Sequence, residues 1–451
     1  MPSIATVANI LERSAIEPLP IEPLFVDRAT EFSALDDVLQ LLPRAIRRHT
    51  ALLGLRRIGK TLLLDQVRRC HPTFAIARLD VDAIVTSPEH FARAFVSEAL
   101  GAILRARGEH AYIAQTDDGL RAAAASLNAD LELSVADILD AIRAEAHGRL
   151  LHRALQFPAE VSERLETPLL LMLDEFQDIT RLRAFPETDN LLGAFRAALD
   201  HPGRVAFVIA GSRVTAMRRL IEDGASPLVT RFTPLELRPF HPDATLELAS
   251  RIWEDESQFD HDAAARLHRL TGGWPFYVHA VAVRARALAG PEVITSDLVD
   301  TAFQQELIGR GGNIALHCQY VLRTATETDS VARRNRLEAI LRAMAQDRDV
   351  PRARLVRRLT RHSALTEVYH SINELIDEDF LMESEGVLRF ADPVFASWLN
   401  VEPDRRDPLT SLGNPQALQR LLSWYEAQHA EDRADPANTA SGRTPMSSIL
   451  S

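Results

Sequence analysis

The chain has 451 residues, 46% of them apolar and 25% charged, with a formal net charge of −12. That balance excludes a wholly disordered chain, and the acidic total argues against a general nucleic-acid coat. Of the 51 basic residues only one, Lys60, is a lysine. Arginine replaces lysine well on a solvated surface but poorly where a compact, flexible point charge is needed, so the exception is informative.

At ~100–200 residues per domain the length predicts two to four domains. The two cysteines, Cys70 and Cys318, lie too far apart in sequence for a metal knuckle or a disulfide framework, which favours a reduced compartment. No apolar run approaches the ~20 residues that span a bilayer, and the N-terminal residues lack the pattern of a secretory signal. The expectation is a cytoplasmic protein with no membrane partner.

Residues 1–24, with Pro2, Pro18, Pro20 and Pro23, read as an irregular lead-in. Phe32, Leu35, Val38, Leu39 and Leu42 recur at helical spacing. Five short apolar runs follow at Thr50–Leu53, Phe74–Leu79, Leu169–Leu173, Val205–Ala210 and Leu235–Leu237, separated by helical patterns. Alternating strands and helices predict an α/β fold, a parallel sheet with helices on both faces. Residues 87–166 carry no strand signal and read as a helical insertion within a core spanning 25–239. Residues 240–330 read as helical and 331–402 as a small unit of helices followed by a hairpin (Phe380–Glu385, Val387–Phe390). Residues 403–451, with one helical stretch at Gln416–His429, read as a weakly ordered tail.

The first run leads into Gly54-Leu55-Arg56-Arg57-Ile58-Gly59-Lys60-Thr61, and Leu62 continues into a helix. This is G-x-x-x-x-G-K-[ST] between a strand and a helix, the Walker A phosphate loop. Glycines let the loop curl so that its N–H groups form an anion nest, and the following helix adds its positive end. Lys60 is then placed for the β- and γ-phosphates of ATP and Thr61 for Mg²⁺. The third run ends in Asp174-Glu175-Phe176-Gln177. Asp174 is the expected Walker B carboxylate on the magnesium side, and Glu175 the general base for the attacking water. Ser212, after the fourth run, is a candidate γ-phosphate contact, and Arg231 a candidate arginine finger. Gly272-Gly273-Trp274-Pro275 interrupts the helical region as a cap and restart.

Together with Phe25-Val26-Asp27-Arg28 and Thr271–Pro275, these motifs resemble the archaeal-type ATPase family in the STAND branch of AAA+ P-loop proteins, over residues ~25–280. The stretch Phe390–Trp398 resembles the end of that family's C-terminal winged-helix domain. The resemblance implies a P-loop core, a helical lid and a winged helix. It places Val26 and Arg28 near the adenine and Pro275 against the base, and implies an ATP-driven switch, closed around ADP and opened by ATP and often by a partner. Asp27 stands where the family has glycine. Gly-Gly-Trp-Pro lacks the arginine of a sensor-2 motif, so ring assembly is not implied.

Arg333–Arg361 holds ten arginines against three acids. A basic stretch in winged-helix order fits duplex DNA contact; the competing reading is a protein-docking or autoinhibitory domain whose arginines meet the acidic ATPase body. The leading expectation is therefore a slow Mg²⁺-ATPase switch with a protein partner, and the alternative a DNA-binding loader or remodeller. A GTPase is disfavoured, since an Asn-Lys-x-Asp base reader needs a second lysine.

Overall fold

The computed structural model describes residues 24–109, 113–252, 259–309, 311–347, 349–361 and 363–401. The lead-in before residue 24, Arg348 and the tail with its expected helix at Gln416–His429 lie outside the described residues. The chain divides into two units. Among the described residues, one is 24–239 together with Asp377–Asp379; the other is Phe240–Ile376 and 380–401.

The first unit runs α1 (Ala29–Leu41), β1 (Thr50–Leu53), α2 (Lys60–Cys70), β2 (Ala75–Asp80) and α3 (Val81–Ile84). Four helices fill the insertion, α4 (Pro88–Ala106), α5 (Asp117–Leu127), α6 (Ala129–Arg143) and α7 (His147–Arg164). Then come β3 (Leu169–Asp174), a 3₁₀ segment (Phe176–Ala184), α8 (Leu191–Asp200), β4 (Val205–Gly211), α9 (Val214–Glu222) and β5 (Thr233–Glu236). Three of the four insertion helices, α4, α5 and α6, start where the sequence offers a side-chain cap. Ser87 accepts from the His90 N–H ahead of Pro88, and Thr116 and Asn128 do the same for α5 and α6.

All strand pairs in the five-stranded sheet are parallel, in the order β2-β3-β4-β1-β5. Inner strands β1, β3 and β4 are buried along their whole length, which is why they read as continuous apolar runs rather than alternating ones. Successive side chains still point to opposite faces. Ala51, Leu53, Leu169, Leu171, Leu173, Phe207 and Ile209 share one core with α4–α8, while Leu52, Leu170, Met172, Val208 and Ala210 are buried on the other face. The edge strand β5 begins at Thr233 rather than Leu235. Pairing there rests on Thr233 N–H to His49 O (2.9 Å) and Leu237 N–H to Leu53 O (2.8 Å), and an edge tolerates Pro234.

The second unit begins with α10 (Pro242–Arg251), α11 (His261–Thr271), α12 (Pro275–Ala289), α13 (Ser296–Ile308) and α14 (Asn313–Ala325). It continues with α15 (Val331–Met344), β6 (Val350–Pro351), α16 (Arg352–Leu359), α17 (Leu365–Asp377), β7 (Leu381–Ser384), β8 (Val387–Phe390) and α18 (Pro393–Val401). Gly272 ends α11 in the left-handed region (φ 59°), and Pro275 opens α12. Gly273 has φ 71°, and a Cβ on it would lie 2.2 Å from the Phe240 carbonyl oxygen, so the close approach requires glycine.

Strands β6, β8 and β7 form a small antiparallel sheet. Its β7–β8 turn has positive φ at both Glu385 (51°) and Gly386 (78°), the geometry that matches strand twist. The two-residue β6 and the closing helix α18 were not expected from the sequence. A strand that short carries no periodic signal. Among the described residues, no helix is long and apolar enough to cross a membrane.

Candidate functional site

Strands β1 and β3 end on the same edge of the sheet, with β4 between them. Their C-terminal ends carry the two strongest sequence motifs, so parallel topology alone brings Gly54–Thr61 and Asp174–Glu175 together. The phosphate loop turns through positive φ at Arg57 (65°) and Gly59 (101°) before α2. A Cβ on Gly54 would lie 2.8 Å from Ile58 Cγ2 and 3.1 Å from the Leu237 carbonyl oxygen, which fixes glycine at the loop's entry. The Ile58 side chain is buried, whereas Thr61 and Leu62 face solvent.

Lys60 is buried and folded back on its own loop, with Nζ donating to Gly54 O at 2.7 Å and Leu55 O at 3.1 Å. Burial pulls its ammonium below the ordinary lysine value, and the carboxylates of Glu175 and Asp174 oppose that shift. Thr61 Oγ1 donates to Asp174 Oδ2 at 2.8 Å, joining the first turn of α2 to the end of β3. A hydroxyl and a carboxylate oxygen suit Mg²⁺, which takes oxygen ligands and keeps the remainder from water and phosphate. Among the described residues no cluster of three or more His, Cys, Asp or Glu could hold a metal by itself. The donor set thus fits a magnesium ion carried in with a nucleotide.

Glu175 follows Asp174 with φ 49° and ψ 42°, a left-handed conformation that costs a non-glycine residue about 1–2 kcal/mol. Oxygen Oε2 accepts three hydrogen bonds, from Gln177 Nε2 (2.7 Å), Ser212 Oγ (2.7 Å) and the Ser212 N–H (3.1 Å). Burial works to raise its carboxyl pKa. The bonds from Gln177 and Ser212 and the charge of Lys60 outweigh it, so the net shift is downward. Gln177 Nε2 also reaches Asp178 Oδ2 (3.0 Å), and Asp178 Oδ1 accepts from Arg213 Nη2 (2.8 Å).

Val26 is buried, and Arg28 grips the loop from outside. Its Nη2 donates to Ile58 O (3.2 Å) and Arg238 O (2.8 Å), and its Nη1 to Asp27 O (3.1 Å). Ser212 is in the group but contacts the expected base. Arg231 is not joined to it: Nη2 lies 3.2 Å from Asp200 Oδ2, at the end of α8. Pro275 belongs to the second unit, at the first turn of α12.

The sequence assigned no role to Gln177, Asp178, Arg213 or Arg78. Arg78, on β2, lies 3.3 Å from Asp174 Oδ2. Its one available signal was a charge in the otherwise apolar run Ala75–Leu79.

No protein-family model matches the chain, and no curated protein matches it in sequence. Solved structures do. A Walker-type ATPase of Pyrococcus abyssi is 20% identical, with a TM-score of 0.57 over 83% of this chain and 96% of that one. The ORC2 protein of Aeropyrum pernix, in its ADPNP–ADP complexes, is 16% identical, with a TM-score of 0.50 over 94% of this chain and 99% of that one. Likeness at such identity speaks to fold alone. With the five-stranded parallel sheet and the strand–loop–helix at Lys60, it gives the chain the fold of the AAA+-type P-loop ATPases.

Proposed function

We propose that the protein is a Mg²⁺-ATP-binding switch that hydrolyses ATP slowly. One observation carries the reading: Thr61, Asp174, Glu175 and Lys60 converge at one end of the sheet, with the Thr61–Asp174 bond closing the magnesium side and a hydrogen-bonded carboxylate beside it. Lys60 would exchange its two loop carbonyls for phosphate oxygens. Glu175 would take the proton of the attacking water as the water–phosphorus bond forms and the bond to the ADP oxygen breaks. Bound at Thr61 and Asp174, Mg²⁺ would supply positive charge to the phosphates. Arg231, which lies beside Asp200 at 3.2 Å and not among these side chains, would reach the developing charge only by leaving that pair.

Lys60→Ala is expected to abolish nucleotide binding, whereas Glu175→Gln keeps binding and loses turnover. Unchanged turnover in both variants would sink the assignment.

The finer reading is a STAND-type switch, with α10–α14 as lid and α15–α18 as a winged-helix output domain. The order helix–strand–helix–helix–hairpin and the small sheet β6-β8-β7 support it. So does the fate of the arginines. Arg333 pairs with Glu374, Arg336 with Glu367, Arg342 with Glu338, Arg352 with Glu383 and Arg354 with Asp347. Helix α17, the helix that a winged-helix domain would use to read a groove, carries Glu367, Glu374 and Asp377, no lysine or arginine, and exposes Leu365 and Tyr369. That surface suits a protein partner better than phosphates.

The DNA-binding reading keeps one observation. Arg354, Arg357, Arg358 and Arg361 are exposed and recur at i, i+3, i+4 and i+7 along α16 and its end. A duplex titration over salt concentration separates the two, since phosphate contact must weaken steeply as salt rises.

A further inference from the structure

The guanidinium of Arg78 holds the carboxylate oxygen that the magnesium side needs. In the register of the β2–β3 pair, Asp80 lies opposite Asp174 and Arg78 opposite Met172. From there Nη2 reaches Asp174 Oδ2 at 3.3 Å, the same oxygen that accepts from Thr61 at 2.8 Å. A carboxylate oxygen offers about two lone-pair sites. On Oδ2 one is taken by the Thr61 hydroxyl and the other by Arg78, while Oδ1 accepts the Glu175 N–H at 3.1 Å.

Arg78 is anchored from the other side as well. Nε lies 3.3 Å from Asp65 Oδ1 on α2, an ionic contact without hydrogen-bond geometry, so that N–H is buried and unsatisfied. The backbone N–H of Arg78, on the open edge of β2, donates to Glu98 Oε1 at 3.2 Å, and Glu98 also takes Arg105 and lies 3.9 Å from Arg68. The side chain is therefore held between two carboxylates, Asp65 and Asp174, by a backbone that is itself pinned.

We infer that Arg78 is a resident cation on Asp174, which Mg²⁺ replaces when it arrives with a nucleotide, and that this exchange couples metal and nucleotide binding. The inference rests on the Mg²⁺-nucleotide reading above and adds a positioning residue to it. Thr61 keeps its bond to Asp174 in either state, so the site on Oδ2 that changes hands is the one Arg78 occupies. Without the metal, Arg78 neutralises Asp174 and lets a polyanion approach. With it, Arg78 falls back on Asp65. Mg²⁺ thus binds against a competitor, and its contribution to nucleotide affinity is smaller than that of an unguarded aspartate.

The test is the nucleotide affinity of the full chain, read with ADP by calorimetry, once with excess Mg²⁺ and once with EDTA. The ratio of the two dissociation constants is the magnesium advantage. Arg78→Ala is expected to raise that ratio about ten-fold, within the usual range for coupling between two ligands. Most of the change should come from weaker binding in EDTA. Asp65→Asn, which leaves Arg78 with Asp174 alone, is expected to lower the ratio. Arg78→Lys keeps a charge but cannot bridge two carboxylates, and is expected to raise it by less; it serves if the alanine variant does not fold. A wild-type chain that binds ADP, with the same ratio in Arg78→Ala and Arg78→Lys, overturns the inference. A wild-type chain that binds no nucleotide overturns the proposed function itself.

Discussion

Ser212 gives both its backbone N–H (3.1 Å) and its hydroxyl (2.7 Å) to a single oxygen of Glu175. The bond joins the tip of β4 to the tip of β3, so the candidate base is tied to the neighbouring strand rather than left free in the site. Donors aimed at a carboxylate stabilise its charged form and lower its basicity.

The consequence is a pH signature. If ionised Glu175 is the active form, the acid limb of the ATPase profile reports its pKa, here shifted down. Removing the hydroxyl in Ser212→Ala takes away one stabilising bond, so the pKa rises and the acid limb moves to higher pH, by about 0.5–1 unit for a bond of about 1 kcal/mol. Turnover measured across the acid range checks this. An acid limb that stays in place would remove Ser212 from the control of Glu175.

Arg28 makes a second, mechanical prediction. Its one guanidinium bonds Ile58 O in the phosphate loop and Arg238 O beyond β5. These carbonyls stand 180 residues apart in the chain, and one nitrogen, Nη2, bridges them while Nη1 holds Asp27 O, so the guanidinium fork serves three carbonyls at once. Arg28→Ala leaves them without that partner and is expected to cost about 2 kcal/mol of stability, with Arg28→Lys, which loses the separate bond to Asp27 O, recovering only part of it. Denaturant unfolding gives the first number. ADP affinity gives the companion, which is expected to fall because the back of the loop loses its clamp.

Which of these relationships the sequence revealed follows from how local each one is. Gly54–Thr61 was legible because the loop's chemistry is written in consecutive residues, and the chain's only lysine marks it. Asp174 and Glu175 were legible because a buried strand of Leu and Met must end somewhere, and two acids at its end stand out against it. The Ser212–Glu175 bond was not legible. It depends on β3 and β4 being neighbours, and only the order β2-β3-β4-β1-β5 decides that. Arg78 was hidden for the same reason, as one arginine among many until β2 is placed beside β3. Arg231 stands apart from both cases: its position ahead of a strand fits a finger, and in the structure its guanidinium lies beside Asp200 at the end of α8 rather than beside Glu175.

His49, at the entrance to β1, makes stability depend on pH. Its Nδ1 accepts the Phe207 N–H at 3.1 Å, and its Nε2 lies 3.3 Å from Leu199 O. The first contact requires an unprotonated Nδ1 and the second suits Nε2–H, so the fold selects one neutral tautomer. Burial drives the pKa from 6.5 down to about 4, with the Leu199 carbonyl opposing the shift and Arg47 adding to it. The sign follows directly. Between about pH 4 and pH 6.5 the unfolded chain binds a proton that the folded chain refuses, so stability rises with pH through that window. The contribution is fully present above pH 6.5 and is lost as pH falls towards 4. With ~1.4 kcal/mol per pH unit for one proton, the loss reaches up to about 3 kcal/mol. Replacing the imidazole in His49→Gln removes this titration. Urea unfolding at a series of pH values is expected to show the wild-type chain losing stability more steeply than the variant below pH 6.5. Above that pH the two curves should run parallel, and parallel curves across the whole range would mean that His49 titrates normally in the folded protein.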